Sequence, residues 1–406
     1  MSALDLALAT VTVGCWALVI YSYAGYPIVL AALAAVHQLG ADLRFVIGKA
    51  DRRLRGPQDD ADWPEVAVVI AAYNEERHIA ERVHNVLQQD YPRDKLHLYI
   101  GSDGSKDRTA EILRSFQDER LHLHLFDINR GKATVLNDLR DRVTEPLVVF
   151  SDANTFFERQ AIRRLVRWFD DPRVGGVTGE LRLRGNDGQN QDSLYWRVEQ
   201  ALKYFEGRIG ALLGANGAIY AVRRALWPAL RPNEICDDFC IGMHVPASGF
   251  RMVYDPAAWA EEDTPEDISE EYHRRLRIGV GNFLALFGHP EFLTRTNWAT
   301  RFAYVSHKVL RWVTPHLLLL ALLGSLWLGA REASLDGPGT WTVLAALQIL
   351  GYALVARFYR RSAAGHAVPG VAKLPTFFFA LNWAFLLASL RYVKGAQQGT
   401  WRRTAR

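Results

Sequence analysis

Apolar positions in this chain form unbroken runs near both ends. Between those runs they form short stretches that alternate with helically spaced ones. Residues 6–36 are almost wholly apolar and include Trp16-Ala-Leu-Val-Ile-Tyr-Ser-Tyr-Ala-Gly-Tyr-Pro27. A run of that length can cross a hydrocarbon core of ~30 Å. A cleaved secretory signal fits poorly, because the first ten residues carry no Lys or Arg and the run is too long. Further runs at about 313–330, 341–358 and 374–393 predict three more spans. Residues 301–311 mix aromatic and basic side chains, as in a helix lying along a membrane surface.

The middle of the chain reads differently. Residues 56–64 form a polar, Pro-bounded linker. Val66–Ala72 is continuously apolar, as in a strand buried on both faces. Ile79, Val83, Val86 and Leu87 then recur at helical spacing, with Asn74 available as the cap. Strands at 96–101, 121–126 and 146–150 follow, separated by helices near Ile112, after Lys132 and around Ile162–Phe169. Strand–helix alternation of this kind predicts a parallel, doubly wound sheet. Past residue 175 the pattern breaks into short strands at 174–178, 181–184 and 218–222 and one long helix near 190–207. The resulting division is a membrane helix at 1–36, a basic then polar linker at 37–64 and an α/β domain at 65–286. Interfacial helices follow at 287–312, membrane or re-entrant helices at 313–393 and a basic tail at 394–406.

Charge sets an expected orientation. Arg44, Lys49, Arg52, Arg53 and Arg55 follow the first span, which predicts a cytoplasmic middle domain and an outside N-terminus. Arg357, Arg360, Arg361 and Lys373 place the loop near 357–373 inside. Lys394, Arg402, Arg403 and Arg406 ask for an inside C-terminus, which four full crossings from an outside N-terminus do not give. One C-terminal candidate is therefore expected to be re-entrant or interfacial; the last, with Asn382 and Trp383 at its centre, is the weakest. Lys and Arg total 48 against 44 Asp and Glu, a balance that argues against a nucleic-acid binder. Cys15, Cys236 and Cys240 imply no disulfide framework. The 236/240 spacing, lacking a second pair or a nearby His pair, does not make a zinc site.

The chemistry-bearing residues sit just past the apolar runs. Asp103 follows Leu96–Ile100, Asp152 follows Pro146–Phe150, and Asp237-Asp238 follow the later short strands. In an open parallel sheet, side chains beyond the C-terminal strand ends converge on one crevice. Carboxylates gathered there can hold a divalent metal, grip sugar hydroxyls or take a proton. Ala72, Asn74 and Glu75 close the first strand, where Asn74 or Glu75 could meet a nucleotide base. Asn129-Arg-Gly-Lys-Ala-Thr134 resembles part of a phosphate loop, but Phe126 stands where the full pattern needs Gly, so a triphosphatase P-loop is rejected. Lys132 at a helix start can still meet a diphosphate. Ser151-Asp-Ala-Asn154 places two oxygen-bearing side chains, Asp152 and Asn154, where they can face one hard cation.

Taken together, Val-Val-Ile-Ala-Ala-Tyr-Asn-Glu-Glu, Gly-Ser-Asp-Gly-Ser-Lys-Asp-Arg-Thr, Arg-Gly-Lys, Val-Phe-Ser-Asp-Ala-Asn, Gly-Ala-Asn-Gly-Ala-Ile-Tyr-Ala (214–221) and Asp-Asp-Phe (237–239) resemble a membrane-bound, inverting family-2 glycosyltransferase. That group includes hyaluronan, chitin, cellulose and poly-N-acetylglucosamine synthases. The resemblance covers about residues 65–285 and implies a GT-A fold, α/β with a Rossmann-like mostly parallel sheet, flanked by transmembrane helices. It implies a nucleotide-diphosphate sugar donor, a uridine one, held by Ala72, Asn74, Glu75, Asp103, Lys132, Asp152 and Arg277. It implies Mg²⁺ or Mn²⁺ on Asp152 and Asn154, Asp238 as base, and an acceptor near Asn216, Gly217, Asp237 and Arg274. The acceptor is a glycan or lipid-linked sugar, in extracellular polysaccharide synthesis at a bacterial cell membrane, with membrane lipids and export or regulatory partners around it. Two departures stand out: Asn154 replaces the second Asp of D-x-D, and Arg274-Arg-Leu-Arg277-Ile278 replaces Q-x-x-R-W, with Ile278 at the Trp position. The alternatives are a non-processive transferase acting on a lipid-linked acceptor, a non-catalytic export subunit on the same fold, and a dinucleotide oxidoreductase. The last lacks a G-x-G-x-x-G after the first strand.

Overall fold

The computed structural model describes residues 2–49, 62–184, 194–263, 268–335 and 337–395. They divide into two compact units. One is built from Met1–Val29, Asp267–Phe283 and Val305–Ala396, the other chiefly from Leu30–Glu266 and Leu284–Tyr304.

The second unit is organised by one eight-stranded sheet. Its strands are β1 (Val66–Ala72), β2 (Leu96–Asp103), β3 (Leu121–Phe126), β4 (Leu147–Asp152), β5 (Thr155–Phe157), β6 (Val174–Arg184), β7 (Tyr220–Arg223) and β8 (Arg251–Asp263). Their order across the sheet is β3-β2-β1-β4-β7-β6-β8-β5. The β3-β2-β1-β4 part is parallel throughout. β7 runs antiparallel to both β4 and β6, and β8 is parallel to β6. All seven residues of β1 are buried, as its unbroken apolar composition predicts. Val66, Val68 and Ile70 pack with Ile79, Val83 and Val86 of the helix Ile79–Leu87. The register matters for function: Ala71 pairs with Asp152, and Ala72 pairs with Ser102. The strand ends bearing Asp103 and Asp152 therefore lie level along one edge of the sheet.

Several expectations change here. The two short strands expected at 174–178 and 181–184 are one strand, β6, with an irregularity between Thr178 and Glu180. Gly179 sits at that break, where an added Cβ would lie 2.3 Å from the Ala258 carbonyl oxygen. The close approach of β6 to β8 thus looks like a gap in the sequence pattern. β5 and β8 have no counterpart in the apolar periodicity. β8 contains Pro256 and ends in Glu261-Glu262-Asp263, so it shows no clean alternation. The expected cap Asn74 does not cap the Ile79–Leu87 helix, which starts at His78 without a side-chain cap. Asn74 instead takes a left-handed backbone (φ 57°) and accepts a hydrogen bond from the Lys106 N–H at 2.7 Å.

Among the described residues, four helices are long and apolar enough to cross a membrane, by length and composition: Ala3–Val46, Trp298–Leu335, Thr340–Ala363 and Gly370–Val393. The first continues past residue 36 to Val46, through a π-helical stretch at Tyr21–Gly25. Residues 301–311 do not form a separate surface helix. They lie inside the 38-residue helix Trp298–Leu335, because no capping glycine separates them from the apolar run that follows. The segment suspected of re-entering is an unbroken 24-residue helix, Gly370–Val393. Within the first unit, polar groups on these helices find one another: Tyr21 and Ser306 share a hydrogen bond of 2.9 Å, and His316 Nε2 and Ser389 Oγ one of 3.0 Å. Such pairing is required where lipid offers no partner.

Candidate functional site

Asp103, at the end of β2, is fully buried. Its Oδ1 and Oδ2 both accept from the Arg130 N–H at 3.0 Å, and Oδ2 also accepts from the Gly131 N–H at 2.8 Å. Gly131 has φ 93°, a conformation that side chains with a Cβ rarely adopt. The carboxylate thereby fixes the entry to the helix Lys132–Arg140. Lys132 is the first residue of that helix, and its position follows from the fixed loop. Its Nζ lies 2.9 Å from Asp152 Oδ1 and 3.1 Å from Asp237 Oδ2. Burial disfavours the ammonium, but the carboxylates of Asp152 and Asp237 outweigh it and hold the lysine charged.

Asp237 and Asp238 open the helix Asp237–Ala247, whose N-terminal dipole favours negative charge. Asp238 Oδ2 accepts from the Gly217 N–H at 3.0 Å, and Oδ1 from the Phe239 N–H at 2.8 Å. A Cβ on Gly217 would stand 3.0 Å from Asp238 Oδ2, so glycine gives this backbone room to approach. Asn216 supports the same turn: its N–H donates to Thr178 Oγ1 at 2.9 Å, and its Oδ1 accepts from the Ala218 N–H. Burial, then the neighbouring Asp237 and Asp152, push the Asp238 carboxyl up to about 6, against the opposing pull of Lys132 and the Phe239 N–H. A carboxyl shifted up in this way is of the kind that can take a proton near physiological pH.

The structure therefore brings Asp152, Asp237, Asp238 and Lys132 together, with Asp103 behind them holding the loop. Asn74 and Glu75 lie beside the turn after β2: the Asn74 N–H donates to Ser105 Oγ at 3.1 Å and the Glu75 N–H to Thr109 Oγ1 at 2.7 Å. Ala72 is buried at the end of β1. Asn154 donates through Nδ2 to Glu262 Oε1 at 3.0 Å. Arg274 and Arg277 belong to the helix Ile268–Gly288 and are described with the other unit, Arg274 half-buried and Arg277 exposed.

Three residues in this region escaped the sequence reading. Arg82 is completely buried under the strand ends, stacked 4.1 Å over the Phe157 ring, with Nε and Nη2 lacking hydrogen bonds. Burial lowers its pKa to about 9, and the charge of Asp152 opposes that shift. Its signal was present: Arg82 falls on the face of Ile79, Val83 and Val86, where an arginine is out of place. Tyr220 starts β7, stacks on Phe150 at 4.7 Å, and has a buried hydroxyl without a hydrogen bond. Burial, with Asp237, Asp238 and Asp152 nearby, raises that hydroxyl well above its ordinary range. Glu262 lies on β8, which no periodicity announced.

Whether Asp152 and Asn154 suit a cation can be judged from their free atoms. Asp152 Oδ1 is engaged by Lys132 and Asn154 Nδ2 by Glu262, and among the described residues Asp152 Oδ2 and the Asn154 amide oxygen carry no hydrogen bond. Hard oxygens of this kind fit Mg²⁺ or Mn²⁺. Among the described residues, the group of three metal-ligating side chains in mutual reach is a different one, Glu234, Cys240 and His289.

Comparison with known proteins identifies the family and the fold. The family model described as glycosyltransferase-like family 2 matches residues 64–281, more than half of the chain. The chain is 26% identical over 246 residues to poly-beta-1,6-N-acetyl-D-glucosamine synthase of Staphylococcus epidermidis, a match that covers 58% of this chain and 57% of the relative. It is 25% identical over 361 residues to an N-acetylglucosaminyltransferase of Rhizobium sp. (strain N33), covering 84% of this chain and 76% of that one. Among solved structures, the mannosyltransferase PcManGT of Pyrobaculum calidifontis, in complex with GDP-Man and Mn²⁺, superposes with a TM-score of 0.69 at 21% identity. That superposition covers 94% of this chain and 99% of the neighbour, and at such identity it speaks for the fold.

Proposed function

This chain belongs to glycosyltransferase-like family 2, and from that premise we propose that it transfers a sugar from a nucleotide-diphosphate donor with inversion at the anomeric carbon. The observation that carries the reading is Asp238, a carboxyl pushed up to about 6 and oriented by the Gly217 N–H at 3.0 Å. It takes the proton of an acceptor hydroxyl, and that oxygen attacks the sugar from the side opposite the nucleotide. Such general-base action contributes roughly 10²–10⁴-fold in rate. Lys132, held charged by Asp152 and Asp237, is the protein's cation for the departing diphosphate. Asp152 and Asn154 would hold Mg²⁺ or Mn²⁺, which when bound supplies further neutralisation of diphosphate charge. Asp103 acts at one remove, by keeping the Arg130–Lys132 loop in place. Asn216 and Gly217 build the wall beside Asp238 on which the acceptor is proposed to sit.

The four long apolar helices support work at a membrane, with a glycan or lipid-linked acceptor. Ile278, in the position where processive members of the family carry Trp, favours a second form of the reading: addition of a single sugar. One experiment addresses both. Membranes carrying the full chain are offered a panel of labelled uridine and guanosine diphosphate sugars, and the product is sized. Incorporation from one donor that disappears in Asp238→Asn supports transfer, and product length separates polymer from single addition. If no donor is used and the purified protein binds no nucleotide diphosphate with either metal, the reading fails.

A further inference from the structure

Three side chains from separate stretches meet behind the first turn of the helix that carries Asp237 and Asp238. Glu234 precedes that helix, Cys240 lies on it, and His289 follows the helix Ile268–Gly288. Cys240 comes two residues after Asp238, which turns it to the far side of the helix. The potential ligand atoms of Glu234, Cys240 and His289 all lie within 4.8 Å of one another. Glu234 is 5% exposed and Cys240 1%.

Two further observations point to a cation. First, His289 has a carboxylate at each ring nitrogen: Nε2 lies 2.9 Å from Glu234 Oε2 and Nδ1 lies 2.8 Å from Glu291 Oε1. A neutral imidazole has one N–H and can serve only one of them. Both are served by an imidazolium, or by a metal that takes the place of the Nε2 proton while Nδ1–H stays on Glu291. The second arrangement is the usual one for a metal-bound histidine, whose outer nitrogen donates to a carboxylate that fixes the tautomer. Second, Glu234 Oε1 is buried with no N–H or O–H donor among the described residues, and the carboxylate's remaining neighbour is the weakly donating Cys240 thiol. A buried carboxylate oxygen with no donor is costly unless a positive charge answers it.

We propose that Glu234, Cys240 and His289 bind a zinc ion, which fastens the start of the Asp237–Ala247 helix to the segment at 289–291. The donor set of one sulfur, one nitrogen and one oxygen suits zinc and not Mg²⁺ or Mn²⁺, which prefer oxygen alone. With bonds of ~2.0–2.3 Å a tetrahedral ion spreads Glu234 Oε2 and His289 Nε2, now hydrogen-bonded at 2.9 Å, takes the Cys240 thiolate as third ligand, and leaves one position for water. Burial and the neighbouring Glu234 push the Cys240 thiol up, so the ion must displace its proton on binding. The site is structural. It positions Asp238 from behind and touches neither donor nor acceptor, and it stands or falls independently of the sugar-transfer reading.

The test uses the full chain in detergent, purified without chelator. Elemental analysis is expected to find zinc bound in about equal number to the chains. Replacing it with Co²⁺ is expected to give a thiolate-to-cobalt charge-transfer band that is lost in Cys240→Ala and kept in Cys236→Ala and Cys15→Ala. Glu291→Gln should weaken the metal roughly 10–100-fold, the usual effect of losing an outer carboxylate. The proposal is overturned if the wild-type chain retains no zinc when offered it, or if the cobalt band is absent. It is equally overturned if the band survives Cys240→Ala. Should Cys240→Ala fail to fold, the wild-type cobalt spectrum decides alone.

Discussion

The two halves of the sheet treat their aspartates in opposite ways. In the parallel half, β1 to β4, Asp103 is sealed and its oxygens are taken by the N–H groups of Arg130 and Gly131. In the mixed half, Asp238 sits half-buried at a helix start, bonded to two N–H groups yet pushed up to about 6 by burial and by Asp237. The same side chain fixes a loop in one place and stands in a cluster of carboxylates in the other. Their surroundings differ: Asp103 faces backbone donors, whereas Asp238 stands beside Asp237 and Asp152. Lys132 connects the two, since Asp103 places the loop that aims its ammonium at Asp152 and Asp237.

The largest expected effect comes from Asp238→Asn. Transfer should fall roughly 10²–10⁴-fold while nucleotide binding by calorimetry stays unchanged, since the amide can still accept from the Gly217 N–H. Undiminished sugar incorporation by this variant would erase the contrast between the halves. Next comes Asp103→Ala, which leaves two N–H groups buried without acceptors and should lower stability by ~1–3 kcal/mol. Chemical denaturation of the membrane-extracted protein reads this, and an unchanged midpoint would show that Asp103 is no staple.

Acid dependence gives a sharper view of Asp238. A base with its pKa near 6 is protonated below that pH, so transfer should rise as pH increases through about 6. The sign for stability is the reverse. Between the ordinary carboxylate range and about 6, the folded chain keeps a proton that the unfolded chain has lost, so this residue's contribution falls as pH rises through that window. Lys132→Met removes the cation that pulls Asp238 down, and the midpoint of the pH–rate curve should move upward. A midpoint that stays or drops would mean that the lysine does not act on Asp238. The smallest effect is expected for Glu262→Gln. This keeps the side chain's shape beside Asn154 but removes a charge, and should weaken Mn²⁺-dependent nucleotide binding by a few-fold at most.

Much of the parallel half was legible from residue order. Val66–Ala72 carries enough consecutive apolar side chains that only burial on both faces accommodates it, and Asp103 and Asp152 follow strands whose ends the register then aligns. The mixed half was not. β8 hides behind Pro256 and a run of acids, and β6 is broken in pattern by Gly179, because there the partner strand's backbone decides which residues fit. Arg82 could have been found as a cation on an apolar helical face; Glu262 could not, since nothing near it in the chain marks it.

Sequence alone determined the alternation of strands and helices, the apolar segments and the acids past the strand ends. These are local properties, fixed by spacing and by the affinity of side chains for water. Only the tertiary structure decided that Lys132 stands between Asp152 and Asp237, that Asp103 holds a loop, and that Cys240 meets Glu234 and His289. Those contacts join residues far apart in the chain, and their energies depend on burial and neighbouring charge, which no spacing along a sequence records.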